Sequence, residues 1–359
     1  MDQITPALDE IGEARRPGRD LRRVGAHPDH WYPLAWSREL KPGRTLAARF
    51  AGEPIVLVRP KEGPVFALED RCAHRQVPLS KGVVAGGSIR CCYHGWTYDG
   101  TGRCIDVPYL GKGKLPNGVR SYPCREAGGL ILVFPGDPAR ADATPLPALA
   151  AVSDPGYKTR RFGREVACHY SFMHENLMDM NHQFLHRKYM GQIRPRFLGQ
   201  RQGEDWIEAR YTFARMGGKQ SFGEAAILGQ RRVGVNTAER DVMTIRTEYP
   251  YQTLSIRTDG EAAVMALWIV YVPLDCAQRR IRTFGLLSVK RPKVPGLLDA
   301  AWPLLVLFTE RIFKEDREIV EMEQAAHDAQ GEDRNQEVFP LIRNLRALLA
   351  ARGTAEDVA

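Results

Sequence analysis

Four residues in the first third of the chain, Cys72, His74, Cys91 and His94, stand as Cys-x-His, sixteen intervening residues, then Cys-x-x-His. Thiolate and imidazole are strong ligands for zinc and for iron–sulfur centres, and each pair is close enough to serve one site from a single loop. Gly82, Gly86 and Gly87 lie between the pairs and let the chain fold back on itself. Two centres suit such a set. One is a closed, structural Cys2His2 zinc site; the other is a [2Fe–2S] centre with two thiolates on one iron and two imidazoles on the other. Zinc fingers usually pair Cys with Cys and His with His, whereas here each loop supplies one of each.

A second set lies in the segment MHENLMDMNHQFLHRKY, residues 173–189. On a helix, Asp179, His182 and His186 fall at i, i+3 and i+7 and project from one face. The two histidines, one turn apart, can share a metal. Far downstream, Phe313–Gln324 reads FKEDREIVEMEQ. There Asp316 has Ile312, Phe313, Ile319 and Val320 as its i−4, i−3, i+3 and i+4 neighbours, which makes it the acid on the apolar face. Glu315, Glu318 and Glu321 fall toward the polar side. A buried carboxylate is costly unless it is ligated or hydrogen-bonded.

The first set continues through His94-Gly95-Trp96-Thr97-Tyr98-Asp99, with Gly100 and Gly102 following, and resembles the Rieske cluster-binding motif. Joined to Asp179-Met180-Asn181-His182-Gln183-Phe184-Leu185-His186, it resembles the alpha (terminal oxygenase) subunit of Rieske non-heme iron oxygenases, of the homotrimeric monooxygenase or demethylase kind. The resemblance implies a [2Fe–2S] cluster on Cys72, His74, Cys91 and His94. It also implies a mononuclear Fe(II) on His182, His186 and Asp316, a facial triad that leaves positions open for dioxygen as cosubstrate. Asp316 matches the family's Glu-Asp followed by an apolar pair near the C-terminus. One departure is Cys92, where family members usually carry proline; the spacing to His94 selects Cys91 as ligand, and Cys92, like Cys104, reads as a small packed thiol. His169 and His174 lie outside the matching positions and read as structural or pocket-lining.

The resemblance further implies a homotrimer in which the cluster of one subunit faces the iron of its neighbour, with Asp179 bridging His94 of one chain and His182 of the next. No G-x-G-x-x-G follows a strand, so NAD(P)H serves only indirectly, through a partner flavin reductase and/or a ferredoxin. The expected reaction is hydroxylation or oxidative demethylation of a small apolar or amphipathic substrate. Its pocket is expected between the second-domain sheet and the helix before Asp316, with Phe213, Met216, Met243, Ile245, Leu254, Met265, Leu267 and Trp268 as candidate lining. Aromatic-ring cis-dihydroxylation is the alternative within the class. A Rieske electron carrier without oxygenase activity is the alternative outside it, and would need none of His182, His186 and Asp316.

Such sites need rigid elements to hold them. With 359 residues, 43% hydrophobic and 26% charged, the chain fits two ordinary globular domains and excludes collagenous, disordered and coiled-coil classes. Trp31–Phe134 reads as short strands and turns, Thr45–Phe50, Ile55–Arg59, Val65–Leu68 and Gly129–Phe134 among them, in a small antiparallel sandwich or barrel. Pro138–Pro147 reads as a linker. Beyond Pro155, Phe172–Tyr189 has helical spacing. Trp206–Phe213, Val242–Tyr249, Thr253–Arg257, Ala263–Val272 and Arg280–Leu287 then alternate like strands, followed by helices over Leu297–Ala326 and Val338–Ala351. The expected fold class is α+β: an N-terminal arm (1–30), an all-β Rieske domain (31–150), and an α+β catalytic domain (151–359) with an antiparallel sheet and flanking helices.

The net charge of +8 draws partly on Arg15, Arg16, Arg19, Arg22 and Arg23, a run that reads as a solvated arm. Nothing beside it resembles a nucleic-acid-binding signature, so no nucleic acid partner is expected. Leu297–Phe308 is shorter than the roughly 20 residues of a spanning helix and is interrupted by Asp299 and Pro303; it reads as a core helix, with lipid contact as the second reading. Met1–Ile11 has no signal-peptide core, and seven cysteines in an unsecreted chain favour ligation over disulfides, so a cytoplasmic location is expected.

Overall fold

The computed structural model describes residues 20–110, 115, 118–217, 225, 241–258 and 262–354. The first half is built from eleven short strands: β1 (Tyr32–Trp36), β2 (Arg44–Phe50), β3 (Glu53–Arg59), β4 (Phe66–Glu69), β5 (Val83–Ala85), β6 (Ser88–Arg90), β7 (Thr97–Tyr98), β8 (Cys104–Asp106), β9 (Ser121–Tyr122), β10 (Cys124–Ala127) and β11 (Leu130–Val133). They form three antiparallel sheets, ordered β2-β3-β4-β9, β5-β6-β7-β8 and β1-β11-β10. The β2–β3 hairpin pairs Phe50 with Glu53 across a two-residue loop. Both loop residues, Ala51 (φ 47°) and Gly52 (φ 87°), take the left-handed conformation that matches the twist of the strands. Gly52 has a second constraint, because a Cβ there would lie 2.1 Å from Cys276 Sγ of the other half. Strand β3, central in its sheet, buries Ile55, Val56, Leu57 and Val58 in succession.

The second half carries one antiparallel sheet of eight strands: β12 (Tyr157–Phe162), β13 (Glu165–Val166), β14 (Gln192–Gln202), β15 (Trp206–Gly217), β16 (Asp241–Glu248), β17 (Tyr251–Thr258), β18 (Met265–Pro273) and β19 (Ile281–Lys290). Their order is β12-β19-β18-β17-β16-β15-β14, with β13 also on β19. The described α-helices are α1 (Ala150–Ser153), α2 (Tyr170–Met178), α3 (Arg187–Met190), α4 (Leu297–Gln330) and α5 (Pro340–Arg352). Helix α5 starts with proline at its first turn and buries Leu341, Ile342, Leu345 and Leu349, an i, i+1, i+4, i+8 stripe. Helix α4 ends at Gly331 in the left-handed conformation. This is the expected α+β organisation, and the five expected strands of the second sheet correspond to β15–β19.

Strands β12, β13 and β14 were not foreseen. Strand β14, an edge strand containing Pro195, leaves most of its side chains at the surface and so lacks the apolar alternation that marks a strand. One core runs through both halves, from Trp31, Tyr32 and Phe134 to Ile245, Phe284 and Leu345. Trp36 and Phe284 meet across the junction at 5.3 Å between ring centroids. A second, smaller core surrounds Cys72 and Cys91.

The arm is not simply solvated from Asp20 onward. Arg22 is 6% exposed, donates to Ser171 Oγ and to Glu175 Oε1 (2.7 Å), and lies 3.5 Å from the centre of the Phe172 ring. Its aliphatic stem and pairing with Glu175 make burial affordable where a lone guanidinium would resist it. Arg15, Arg16 and Arg19 lie outside the described residues. Leu297–Phe308 forms the first turns of α4, burying Leu298, Ala301 and Leu305 while exposing Leu297, Leu304 and Leu307. No helix among the described residues is long and apolar enough to cross a membrane.

Candidate metal centres

The first centre sits on two turns. One follows β4, where Gln76 N donates to Cys72 O; the other joins β6 to β7, where Gly95 N donates to Cys91 O. Cys72 and Cys91 are buried, 2% and 4% exposed, while His74 and His94 stand half-buried nearer the surface. The imidazoles pair at 4.6 Å between ring centroids, and His74 stacks on Trp96 at 4.7 Å and 6°. Tyr98 OH accepts from Ala73 N at 3.1 Å and lies 3.2 Å from Cys72 Sγ. Burial pushes the Cys91 thiol up, and the neighbouring Cys72 adds to it.

Two observations bear on what this set could hold. His74 Nδ1 is buried without a hydrogen-bond partner, an orphan that a bound metal would satisfy. A single tetrahedral zinc would need all four donors within about 3.3–3.8 Å of one another, given bonds of 2.0–2.3 Å. Among the described residues only a different set brings three ligand atoms within 4.8 Å. The thiols and the imidazoles instead form two pairs, the disposition a two-iron centre requires. Cys104 is buried in the same small core as expected. Cys92 is not a packed thiol: it is exposed, because the β6–β7 turn directs Cys91 inward and its neighbour outward.

The second centre departs from the single helix expected over Phe172–Tyr189. Helix α2 stops at Met178, and Asp179 is extended (φ −89°, ψ 93°). A 3₁₀ turn, Met180–Phe184, follows, and His186 leads into α3. Asp179 causes the break: its Oδ1 accepts from Asn181 N (2.9 Å) and Asn181 Nδ2 (2.8 Å), an N-cap that competes with helix continuation. Asp179, His182 and His186 therefore do not share one helical face.

The two histidines converge nonetheless. His182 Nδ1 bonds the carbonyl of Asp179, and His186 Nδ1 bonds Glu315 Oε2 at 2.9 Å. Both Nε2 atoms are thereby turned toward Asp316, whose Oδ1 lies 3.1 Å from His186 and 3.8 Å from His182. These are the three ligand atoms within 4.8 Å of one another. Asp316 Oδ1 is buried without a hydrogen bond of acceptable geometry, a state that a cation would relieve. The residues present fit an iron ion. Burial holds the His182 imidazole below its usual range, toward the neutral form that ligates metals, against the pull of Asp316. For His186 burial acts the same way, but the nearby carboxylate of Asp316 and the bond and charge of Glu315 outweigh it and raise the group.

Glu315 and Glu321 are not on a solvated face. Glu315 orients His186, and Glu321 accepts from Ala167 N at 3.2 Å; Glu318 stays at the surface beside Lys314. A carboxylate on the distal nitrogen of a ligating histidine fixes its tautomer and strengthens it as a donor. Glu315→Ala is expected to weaken Fe(II) binding at this centre by about 10–100-fold, read by metal titration of the apoprotein, with Glu315→Gln intermediate because its amide oxygen can still accept the Nδ1 proton. His169 and His174 are structural. His169 caps α2 and bonds Ser171 and Val24; His174 packs edge-on to Tyr271; burial lowers each to about 3.

A cavity of about 230 Å³ opens beside Asp316. It lies between α2 (Met173, Asn176, Leu177), the sheet (Leu267, Ile269, Tyr271, Thr283) and α4 (Phe313, Asp316). Its position between sheet and helix is the expected one, but of the eight candidate lining residues only Leu267 is there. Ile245, Leu254 and Trp268 are core, Phe213, Met243 and Met265 pack against that core, and Met216 is 55% exposed.

Comparison with known proteins agrees with both halves. Residues 30–123 match the Rieske [2Fe-2S] domain family, and residues 166–342 match the vanillate O-demethylase oxygenase C-terminal domain family. The 4beta-methylsterol monooxygenase of Methylococcus capsulatus (strain ATCC 33009 / NCIMB 11132 / Bath) is 32% identical over 345 residues, 92% of this chain and 89% of that protein. The oxygenase component of dicamba O-demethylase from Stenotrophomonas maltophilia is 42% identical over 163 residues, 44% of this chain and 47% of that one. The crystal structure of dicamba monooxygenase bound to dicamba superposes with a TM-score of 0.70 at 26% identity, covering 90% of this chain and 99% of that one. With both domains matched in order and a full-length relative at this identity, the chain belongs to the Rieske non-heme iron oxygenases, as a terminal oxygenase subunit that uses a [2Fe–2S] cluster, a mononuclear iron and dioxygen.

Proposed function

We propose that the chain hydroxylates or oxidatively demethylates an apolar or amphipathic molecule held in the cavity beside Asp316. The observation that carries this reading is the shared wall: the carboxylate that faces both His182 and His186 also lines a largely apolar cavity. In this reading Cys72, His74, Cys91 and His94 hold the cluster, and His182, His186 and Asp316 hold the iron. Iron so bound supplies open positions at which dioxygen is activated by externally supplied electrons. The chain's own residues do the rest. Glu315 and the Asp179 carbonyl keep the two imidazoles in the tautomer that presents Nε2, and Leu267, Ile269 and Phe313 exclude water from the substrate's side.

The names of two relatives, a methylsterol monooxygenase and an O-demethylase, support chemistry at a methyl group over ring dihydroxylation. A ferredoxin or flavin reductase would supply electrons, and a homotrimer would bring the cluster of one subunit to the iron of the next. Half-buried His74 and His94, beside exposed Tyr93, Tyr109 and Leu110, suit a face that docks against another protein surface. The test is anaerobic purification with metal and sulfide analysis. About three irons and about two acid-labile sulfides per chain are expected, and the reduced protein should give a Rieske-type paramagnetic signal. Cluster iron alone, unrestored by added Fe(II), would reduce the protein to an electron carrier. Labelled dioxygen then separates the two oxygenase chemistries: two labelled atoms in a ring diol would overturn monooxygenation.

A further inference from the structure

We infer that the outer face of the first turns of α4 docks on an anionic lipid surface, with the cavity beside Asp316 opening against the bilayer. The use of that opening rests on the reading of the cavity as the substrate site; the docking itself rests on other residues. Leu297–Phe308 is apolar almost all round, yet only one side of it is covered. Leu298 and Leu305 pack with Val289 beneath the helix, and Ala301 is buried too. On the outer side Leu297, Leu304 and Leu307 are 54%, 53% and 48% exposed, and Val294, just ahead of the helix, is 61% exposed. At 3.6 residues per turn the three leucines fall within about 80° of one another, with exposed Ala300 among them. A helix that is apolar all round is ordinarily buried all round, so this face calls for a cover.

Charge decides what the cover is. Arg291 and Lys293 precede the stripe, and Arg311 and Lys314 follow it, all four exposed. The acids nearby are already shared. Asp299 pairs with Lys158 and, at 3.1 Å, with Arg291; Glu310 pairs with Arg160 and, at 3.5 Å, with Arg164. Glu318 lies 3.5 Å from Lys314, while Glu315 and Asp316 face His186 on the inner side. Asp154 and Arg257 both act on Tyr157 and offset one another. Asp299 and Glu310 thus meet two cations each, and Lys293 and Arg311 have no ion pair among the described residues, which leaves the face positive. An apolar centre with cations at either end suits a helix lying in a membrane interface: leucines enter the acyl boundary and the long basic side chains reach the phosphates. Each such cation strengthens attachment to an anionic leaflet by about fivefold. A protein partner fits less well. The stripe is about 15 Å long and one helix wide, well short of the roughly 800 Å² that each partner gives to a stable interface, and its two aromatic residues, Trp302 and Phe308, are half-buried. Arg311 and Lys314 also line the cavity beside Asp316, so docking brings its mouth to the lipid, and an apolar guest enters without crossing water.

The experiment is co-sedimentation of the iron-loaded holoenzyme with vesicles of phosphatidylcholine alone and of phosphatidylcholine mixed with phosphatidylglycerol, at low and high salt. The anionic vesicles are expected to bind at least about tenfold more tightly, and high salt should remove most of that difference. Leu304→Gln combined with Leu307→Gln should weaken binding to anionic vesicles by about tenfold. Iron content, cluster signal and oligomeric mass should not change in that variant, since both side chains lie at the surface. Lys293→Glu should weaken binding to the anionic vesicles and leave phosphatidylcholine unaffected. No binding to anionic vesicles, or binding indifferent to the two leucines, overturns the inference. So does a smaller oligomer in the leucine variant, which would assign the stripe to a contact between subunits. Iron analysis of the same samples separates this from the reading beneath it: full iron without vesicle binding sinks the docking alone, whereas a second iron site that never fills sinks the substrate reading of the cavity and leaves the docking to the vesicle result.

Discussion

Asp316→Ala is expected to empty the mononuclear site and lower product formation by at least about 10³-fold, the loss of several kcal/mol of metal-borne transition-state stabilisation. The [2Fe–2S] signal of the reduced protein should not change, because its residues sit in a separate small core. The physical reason is charge. Asp316 is the carboxylate facing both Nε2 atoms, and two neutral imidazoles alone bind Fe(II) weakly. Iron content should fall from about three to about two per chain. A trivial loss of folding is separable from this outcome. In the metal-free protein Asp316 Oδ1 lies 3.1 Å from His186 Nε2 and favours that imidazole's charged form, so the variant's apoprotein can lose some stability but should still unfold in one cooperative transition. Retained iron with more than about a tenth of wild-type turnover, little over 1 kcal/mol by the same conversion, would show that Asp316 is not a ligand.

How much of this was legible in the sequence depended on how local each determinant is. The cluster residues stand two and three positions apart within turns, so their spacing is their geometry. Asp316 was legible because its i±3 and i±4 neighbours are all apolar. The break at Asp179 was not, since it depends on the carboxylate bonding Asn181 N instead of letting the helix run on. The residue types are compatible with either outcome. Glu315 was misplaced for a different reason. A helical wheel gives the direction of Cβ, not the reach of a side chain with two more carbons, and that reach brings Oε2 to His186. The cavity was legible in place but not in membership. Leu267, Ile269 and Tyr271 line it because alternate residues of β18 face one way. Trp268, next to Leu267 and equally apolar, faces the other way into packed core. Only strand register could tell them apart.

The second large effect is expected at Asp179. Asp179→Asn should keep both metals and the fold while slowing electron delivery to the iron by about a hundredfold or more, the range typical of a lost proton-handling group. The structure makes this substitution unusually clean. Asparagine caps a turn as well as aspartate does, so the bonds to Asn181 can persist, and His182 is held by the Asp179 main-chain carbonyl, which the substitution does not touch. What disappears is the charge. The remaining carboxylate oxygen, Oδ2, takes no hydrogen bond among the described residues, and the residue is only half-buried. It is therefore free to accept an imidazole N–H from His94 of a neighbouring subunit, the bridging role that the resemblance to the family implies. Because a reduced Rieske centre couples its charge to protonation of its histidines, a neutral amide in that position removes both the acceptor and the electrostatic partner. The measurement is single turnover of fully reduced enzyme, following cluster oxidation optically and product by quench. Cluster oxidation should stall with little product. A wild-type product yield in that first turnover would mean that electrons reach the iron without Asp179, and the carboxylate would then be no more than the cap that ends α2.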